Sequence, residues 1–186
     1  MDTKEITVTI TGFDAKGRGT AQAERWPIAV PFAVPGDTVR VMLRGKKDGM
    51  RIGRIVRVDA PSSDRTAPRC PYVGQCGGCP WQMIDYPAQL RAKHAAVTHA
   101  LAGLAIPEIP APVPSPDLFY FRNRMDYAIG ANGELGLKAS AQWWNVLDLS
   151  TCFLLSPEAV ELMSRFRAWM RANNVVPWDN RNHRGF

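Results

Sequence analysis

Hydrophobic runs long enough to cross a membrane are missing from this sequence. Charged residues, proline or glycine interrupt each apolar stretch before it reaches the roughly 18 residues that a span requires. The N-terminus also lacks an apolar core behind a basic start, so we expect no secretory signal and no membrane partner. These absences predict a soluble protein of the cytoplasm.

Cysteine is scarce, with four residues among 186. In a reducing compartment, so few cysteines are more often metal ligands or catalytic thiols than a disulfide framework. The composition is otherwise ordinary, with 46% apolar and 22% charged residues. It excludes wholesale disorder and predicts one or two small folded domains.

Acidic residues are outnumbered, since 17 Asp and Glu stand against 23 Lys and Arg, for a net charge of +6. Residues 1–66 hold 12 basic and 8 acidic side chains (+4), and the remainder holds 11 and 9 (+2). The basic excess is therefore strongest at the front of the chain. A polyanion is the first partner to consider, with nucleic acid ahead of an anionic membrane surface.

Residues 1–60 alternate between apolar and polar positions, with turn signals between the short segments. This pattern predicts about five strands in a closed or nearly closed OB-like β-barrel. A KKDG turn at 46–49 predicts a long hairpin with basic side chains on both strands. Either a solvated rim or an RNA-binding face would explain these side chains, which are Arg40, Arg44, Lys46, Lys47, Arg51, Arg54 and Arg57.

The remaining chain mixes helix and strand signals. A polar, Pro-bearing connection at 61–69 indicates a domain boundary, and apolar spacing predicts helices at 87–104 and 157–172. The aromatic segment FYFRNRMDYAIG predicts a strand that carries Arg122 and Arg124, and Asn132-Gly133 after it predicts a hairpin turn. The two arginines could bind phosphate or stack on a base, or lie on an exposed strand face.

The segment CPYVGQCGGCPWQ, residues 70–82, places cysteines at C-x5-C-x2-C spacing. The two glycines between Cys76 and Cys79 would let backbone amides approach sulfur and stabilise thiolates. With Cys152, these cysteines make a four-thiolate set, whose irregular spacing a 4Fe-4S cluster accepts. A structural zinc site in a stand-alone RNA-binding protein is the main alternative, although no second finger-like pair exists. A radical S-adenosylmethionine enzyme is less favoured, because its usual spacing is C-x3-C-x2-C.

The ordered set of motifs resembles the N-terminal part of the TRAM-domain RNA uridine-5-methyltransferases, which act on a uracil of 23S ribosomal RNA. The motifs are the basic barrel, the cysteine loop, QLRAKHAAVTHAL, YFRNRMDYAIG, GELGLKA and DLSTCFLLSP. The resemblance implies that a 4Fe-4S cluster is bound by Cys70, Cys76, Cys79 and Cys152, and that the TRAM barrel binds RNA. It also implies an α+β fold with a barrel at 1–60, a linker and cluster loop at 61–84, and an incomplete central α/β domain at 85–186.

The resemblance also implies a Rossmann-like catalytic domain, for which we expect no counterpart in this sequence. Its glycine-rich cofactor loop, nucleophilic cysteine and carboxylate base would follow the NHRGF end of the chain. We therefore expect no catalytic residue here, and S-adenosylmethionine as a cofactor only of the full-length family enzyme. A separate catalytic half, or self-association through apolar surface on the 87–104 helix, is the expected partner besides RNA.

Overall fold

The computed structural model describes residues 4–23, 26–106, 108–178 and 183–185. Parts of the predicted 1–60 and 85–186 domains therefore lie outside the described residues. The strands are β1 Glu5–Thr9, β2 Gly12–Phe13, β3 Gly19–Ala23, β4 Trp26–Val30, β5 Thr38–Lys47, β6 Met50–Ala60, β7 Ala128–Ile129, β8 Leu135–Ala139 and β9 Gln142–Asp148. The helices are α1 Tyr86–Leu101 and α2 Pro157–Ala172. The chain is thus a mixed α and β protein, as predicted.

Two compact units divide the chain. The first combines residues 1–68 with 80–114, and the second combines 69–79 with 115–186. The loop cysteines Cys70, Cys76 and Cys79 therefore belong to the same unit as Cys152. The domain bounds 1–60, 61–84 and 85–186 stay a prediction.

The first unit contains a six-stranded sheet in the order β1-β5-β6-β4-β3-β2. All neighbouring strands are antiparallel except β4 and β6, which are parallel. Alternate residues of β1, β3, β4 and β5 point to one side and pack together as a core, which includes Ile28, Val30, Val39 and Val41. The long basic hairpin is confirmed as β5 and β6, while β2 adds a short strand to the five that were predicted.

The second unit contains the sheet β7-β8-β9. The predicted hairpin turn lies between β7 and β8, where Gly133 has a positive φ of 80°. The loop is longer than a two-residue turn, because Ile129 pairs with Leu135. The Glu134 carboxylate accepts the backbone N–H of Asn132 (3.0 Å) and stabilises this five-residue loop.

The predicted strand at FYFRNR is wrong, since strand β7 comprises only Ala128–Ile129. Tyr120 adopts a left-handed backbone (φ 60°), which breaks the period-two alternation of a strand. Its N–H donates to the Phe153 carbonyl (2.8 Å), and the Arg122 N–H donates to the Leu154 carbonyl (2.9 Å). The segment thus runs beside residues 153–154 as irregular chain, where its aromatic side chains contact other residues.

Helix α2 begins and ends as predicted, with the Ser156 hydroxyl accepting the Ala159 N–H and Pro157 in the first turn. Helix α1 ends three residues earlier than predicted, at Leu101. On its expected apolar face Val97 is 47% exposed, whereas Leu90, His94 and Leu101 are half-buried. Among the described residues, neither helix has the length and apolar character needed to span a membrane.

Candidate RNA interface and cysteine site

The β5–β6 hairpin brings the predicted basic residues onto two paired strands. Arg40 lies opposite Arg57, and Lys46 lies opposite Arg51. Like charges at directly opposed positions repel each other. The hairpin therefore holds a concentration of positive charge that folding alone does not favour, which is typical of a surface that binds an anion.

Nearby carboxylates divide these cations into two groups. Asp59 forms ion pairs with Arg57 (2.5 Å) and Arg40 (3.9 Å), so these two arginines are partly neutralised. Within the described part of the chain, no ion pair includes the other five cations, which are Arg44, Lys46, Lys47, Arg51 and Arg54. These five form the part of the hairpin that is available to an external anion, and we call them the unpaired cations.

The carboxylate at the hairpin turn, Asp48, forms its ion pairs with cations from outside the hairpin. Asp48 pairs with Lys16 (2.7 Å) and Arg18 (3.2 Å), which approach from the loop between β2 and β3. The hydrogen bond from Lys16 is the largest influence that lowers the pKa of Asp48, so this group stays ionised. These contacts anchor the turn to the loop between β2 and β3.

A buried ion pair holds the start of β5 to the segment after β6. The Asp37 carboxylate is fully buried and accepts hydrogen bonds from the Val34 and Ser62 amides and from Arg65. Burial raises the pKa of Asp37, but the Arg65 guanidinium and the two amides outweigh it and hold the pKa below its ordinary value. The hairpin therefore begins and ends at a charged junction that stays intact at neutral pH.

The cysteine loop is attached to β8 by backbone contacts. Cys76 forms an isolated β-bridge with Ala139, and the Gly77 N–H donates to the Lys138 carbonyl (3.2 Å). The Gly78 N–H donates to the Cys76 sulfur (3.4 Å), which is the amide-to-sulfur contact that the glycine pair predicts. The loop thus has the backbone arrangement that stabilises an anionic sulfur.

A tyrosine connects the loop to the segment that carries the remote cysteine. The Tyr72 hydroxyl accepts the Ser150 N–H (3.0 Å) and lies 2.9 Å from the Ser150 hydroxyl. Ser150 precedes Cys152 by two residues. These contacts hold the loop and the Cys152 segment to each other through the protein's own side chains.

The thiols interact electrostatically but do not form a complete metal-binding group. The pKa of Cys76 is raised above its ordinary value, because burial, with a smaller contribution from the neighbouring Cys70 and Cys152, outweighs the Gly78 amide, which lowers it. Nevertheless, the described residues contain no group of three or more His, Cys, Asp or Glu side chains placed to coordinate a metal. The donor set and its shared neighbourhood suit a thiolate-bound metal, whereas the coordination shell is not preformed.

An arginine–aromatic cluster involves the residues next to Cys70 and Cys152 in the sequence. The Arg69 guanidinium lies 4.4 Å from the Phe153 ring centroid and 5.0 Å from those of Phe119 and Tyr120. It also donates to the Tyr120 hydroxyl (2.6 Å). Because Arg69 precedes Cys70 and Phe153 follows Cys152 in the sequence, this cluster holds the flanks of both cysteines together.

The other predicted RNA contacts, Arg122 and Arg124, are both exposed. Arg124 pairs with Asp126 (3.0 Å), and both side chains are largely in solvent. They lie in irregular chain, so they do not share the regular spacing of the hairpin cations. Sequence reasoning missed Asp59, which follows Arg57 by two residues on the same strand and accepts a hydrogen bond from its side chain.

Comparison with known proteins finds similarity to RNA methyltransferases. The chain is 37% identical to an uncharacterized RNA methyltransferase of Nanoarchaeum equitans, over 97% of this chain and 38% of that protein. It is 34% identical to a tRNA (uracil(54)-C(5))-methyltransferase of Pyrococcus furiosus, over 86% of this chain and 37% of that protein. No protein-family model matches it.

Structural comparison gives the same result. The crystal structure of the Pyrococcus abyssi tRNA (uracil-54, C5)-methyltransferase with S-adenosyl-L-homocysteine matches with a TM-score of 0.73 and 25% identity. The match covers 97% of this chain and 40% of that one, so the chain spans about two fifths of the length of these relatives. The chain is therefore homologous, over nearly its whole length, to a portion of the RNA methyltransferases, among them tRNA uracil-C5 enzymes.

Proposed function

We propose that this chain is the RNA-recognition part of an S-adenosylmethionine-dependent RNA uridine-5-methyltransferase. The observation that carries the proposal is the match to the tRNA uracil-C5 methyltransferase structure over 97% of the chain. The methyl donor is inferred from the bound S-adenosyl-L-homocysteine of that relative. The basic hairpin supplies the physical means, because its unpaired cations would neutralise phosphates and release counterions.

The named relatives support one choice of RNA class. The resemblance of the motifs implies 23S ribosomal RNA, whereas the relatives with a named substrate act on tRNA. We favour tRNA for that reason. A basic hairpin that binds phosphate carries little base specificity of its own, so the choice would depend on the shape of the RNA.

Binding titrations with an unmodified tRNA transcript and a 23S ribosomal RNA fragment of equal length test this proposal. We expect affinity for both to fall with salt, with a slope of roughly 3 to 4 in log affinity against log salt if all five unpaired cations meet phosphate. We expect the tRNA to bind more tightly. Absence of RNA binding, or binding that salt does not weaken, would contradict the recognition role.

We further infer that Cys70, Cys76, Cys79 and Cys152 hold a 4Fe-4S cluster. The supporting observations are the amide directed at the Cys76 sulfur and the electrostatic influence of Cys70 and Cys152 on that thiol. Such a cluster would link the loop to the segment after β9, so its chemistry here would be structural. Iron and zinc analysis of anaerobically purified protein, with its visible spectrum, separates this cluster from the alternative zinc site.

Methyl transfer to C5 of uracil needs a nucleophile that adds to C6 and a base that removes the C5 proton. We propose that both belong to the part of the relatives that this chain does not span. Incubation of the pure chain with labelled S-adenosylmethionine and unmodified RNA should give no 5-methyluridine above a control without protein. Formation of 5-methyluridine would contradict the proposed location of the nucleophile and the base.

A further inference from the structure

Three residues meet on the core-facing side of the first sheet, at the end nearest the hairpin turn. Lys46 is paired with Arg51 across β5 and β6, and Arg51 is in register with Ile28 of β4. Paired residues of neighbouring strands point to the same side, and Ile28 belongs to the core. Trp26 precedes Ile28 by two residues and so shares this side. We call Trp26, Lys46 and Arg51 the tryptophan corner.

The corner has features that packing alone does not explain. Trp26 is 44% exposed although it lies on the side where Ile28 and Val30 are buried. The Lys46 ammonium lies over its ring, 3.8 Å from the centroid. Arg51 buries its Nε without a hydrogen-bond partner, which folded proteins usually avoid. The corner therefore combines a half-exposed tryptophan with two unpaired cations and a buried donor that has no hydrogen-bond partner.

We propose that the tryptophan corner is a subsite for one unpaired RNA nucleotide. The base would stack on the Trp26 ring, and Lys46 and Arg51 would bind the adjoining phosphate. The Lys46 ammonium would leave the ring face when the base arrives, because stacking on a base exceeds a cation–π contact at an exposed site. This inference rests on the proposed function, since it assumes that the chain binds RNA.

The positive charge of the tryptophan corner favours an RNA nucleotide as the occupant over a second protein. The described residues that supply the corner carry two cations, and the nearest carboxylate along the hairpin, Asp48, already pairs with Lys16 and Arg18. An aromatic platform beside cations is the arrangement that single-stranded nucleic acids require. Phosphate binding alone would need the cations but not the ring, which gives a way to test the stacking.

The test compares an oligouridine of about eight nucleotides, within the site size of a single OB-like domain, with an abasic backbone of equal length. We expect the intact protein to bind the oligouridine about 5- to 150-fold more tightly, the factor that stacking of one base provides. Trp26→Leu should remove most of this preference, and Trp26→Phe should keep part of it. Trp169→Leu, at an exposed tryptophan of α2, is the matched control and should leave the preference intact.

The salt dependence separates stacking from phosphate binding. Trp26→Leu should leave the slope of log affinity against log salt unchanged, whereas Arg51→Met should lower it by about 0.7. Equal affinity of intact protein for the two oligomers, despite salt-dependent binding, would overturn the subsite and leave the proposed function standing. The subsite would also be overturned if Trp26→Leu and Trp26→Phe each weakened binding of the oligouridine and of the abasic backbone by the same factor. The Trp26 ring would then stabilise the fold and would not stack on a base. Absence of binding to either oligomer would contradict both proposals.

Discussion

Replacement of Asp37 by asparagine tests the charged junction at the base of the basic hairpin. Each carboxylate oxygen of Asp37 accepts an amide and the Arg65 guanidinium, with Ser62 on Oδ1 (2.9 Å) and Val34 on Oδ2 (2.7 Å). An asparagine would direct its NH2 group at a donor in either orientation. The variant also leaves Arg65, whose side chain is only 19% exposed, without its counter-charge.

The loss can be estimated from the burial of the pair. Removal of one partner of a buried ion pair destabilises a protein by about 3–5 kcal/mol. The partial exposure of Arg65 and its hydrogen bond to the Phe32 carbonyl (2.9 Å) place this case near the lower limit. We therefore expect Asp37→Asn to lower the free energy of unfolding by about 3 kcal/mol, measured by urea denaturation.

A matched control is Asp64→Asn in the same unit. Asp64 pairs with Arg91 at the surface (2.8 Å), and both side chains are more than 40% exposed. An exposed pair contributes about 0.2–1 kcal/mol, so the control should lose no more than this. An equal loss in the two variants would refute the claim that burial makes the Asp37 pair important.

The pH dependence has a defined sign. The pKa of Asp37 is lowered from 3.8 in the folded state, so folding favours the ionised form. Its contribution is fully present above the unfolded pKa and is lost as pH falls through the folded pKa. The difference in free energy of unfolding between the intact protein and Asp37→Asn should therefore be the same at pH 7 and pH 5. This difference should become smaller only below about pH 4. A difference that already narrows between pH 7 and pH 5 would show that another group is responsible.

Three further predictions concern the RNA interface and the cysteine site. Joint replacement by serine of four unpaired cations, Arg44, Lys46, Lys47 and Arg51, should flatten the salt slope of RNA binding by about 2 to 3 units. Replacement of both Arg40 and Arg57 by serine should flatten the slope by less per residue, because Asp59 already offsets part of their charge. Cys152→Ser should lower the iron content and the melting temperature of anaerobically reconstituted protein, and full retention of both would remove this residue from the ligand set. Arg69→Met should destabilise the fold by about 1–2 kcal/mol through loss of its aromatic contacts, and Arg69→Lys should recover part of this loss.

Some features of this protein follow directly from local sequence. The alternation around Val39 and Val41 determined the basic hairpin, because period-two burial needs only neighbouring residues. The Ser156-Pro157 pair likewise determined the start of α2 through a cap that spans one turn. The motifs that carry the family resemblance are also contiguous, so homology to RNA methyltransferases could be recognised without a fold.

Other features depend on residues that meet only after folding. The aromatic segment around Tyr120 has the alternation of a strand, but Tyr120 has a left-handed backbone conformation and the segment is irregular. The backbone N–H groups of Tyr120 and Arg122 donate to the carbonyls of residues 153 and 154, which the sequence alone does not reveal. The separation of hairpin cations into paired and unpaired depends on the ion pairs of Asp59 and Asp48. The contact of Lys46 with Trp26 joins residues of different strands. Sequence periodicity predicts the face of a side chain only where strand pairing is regular, and the register shift between Leu43 and Lys46 places Lys46 on the core-facing side. Strand register determines which charges and rings lie within reach of each other, and it defines the candidate sites of this protein.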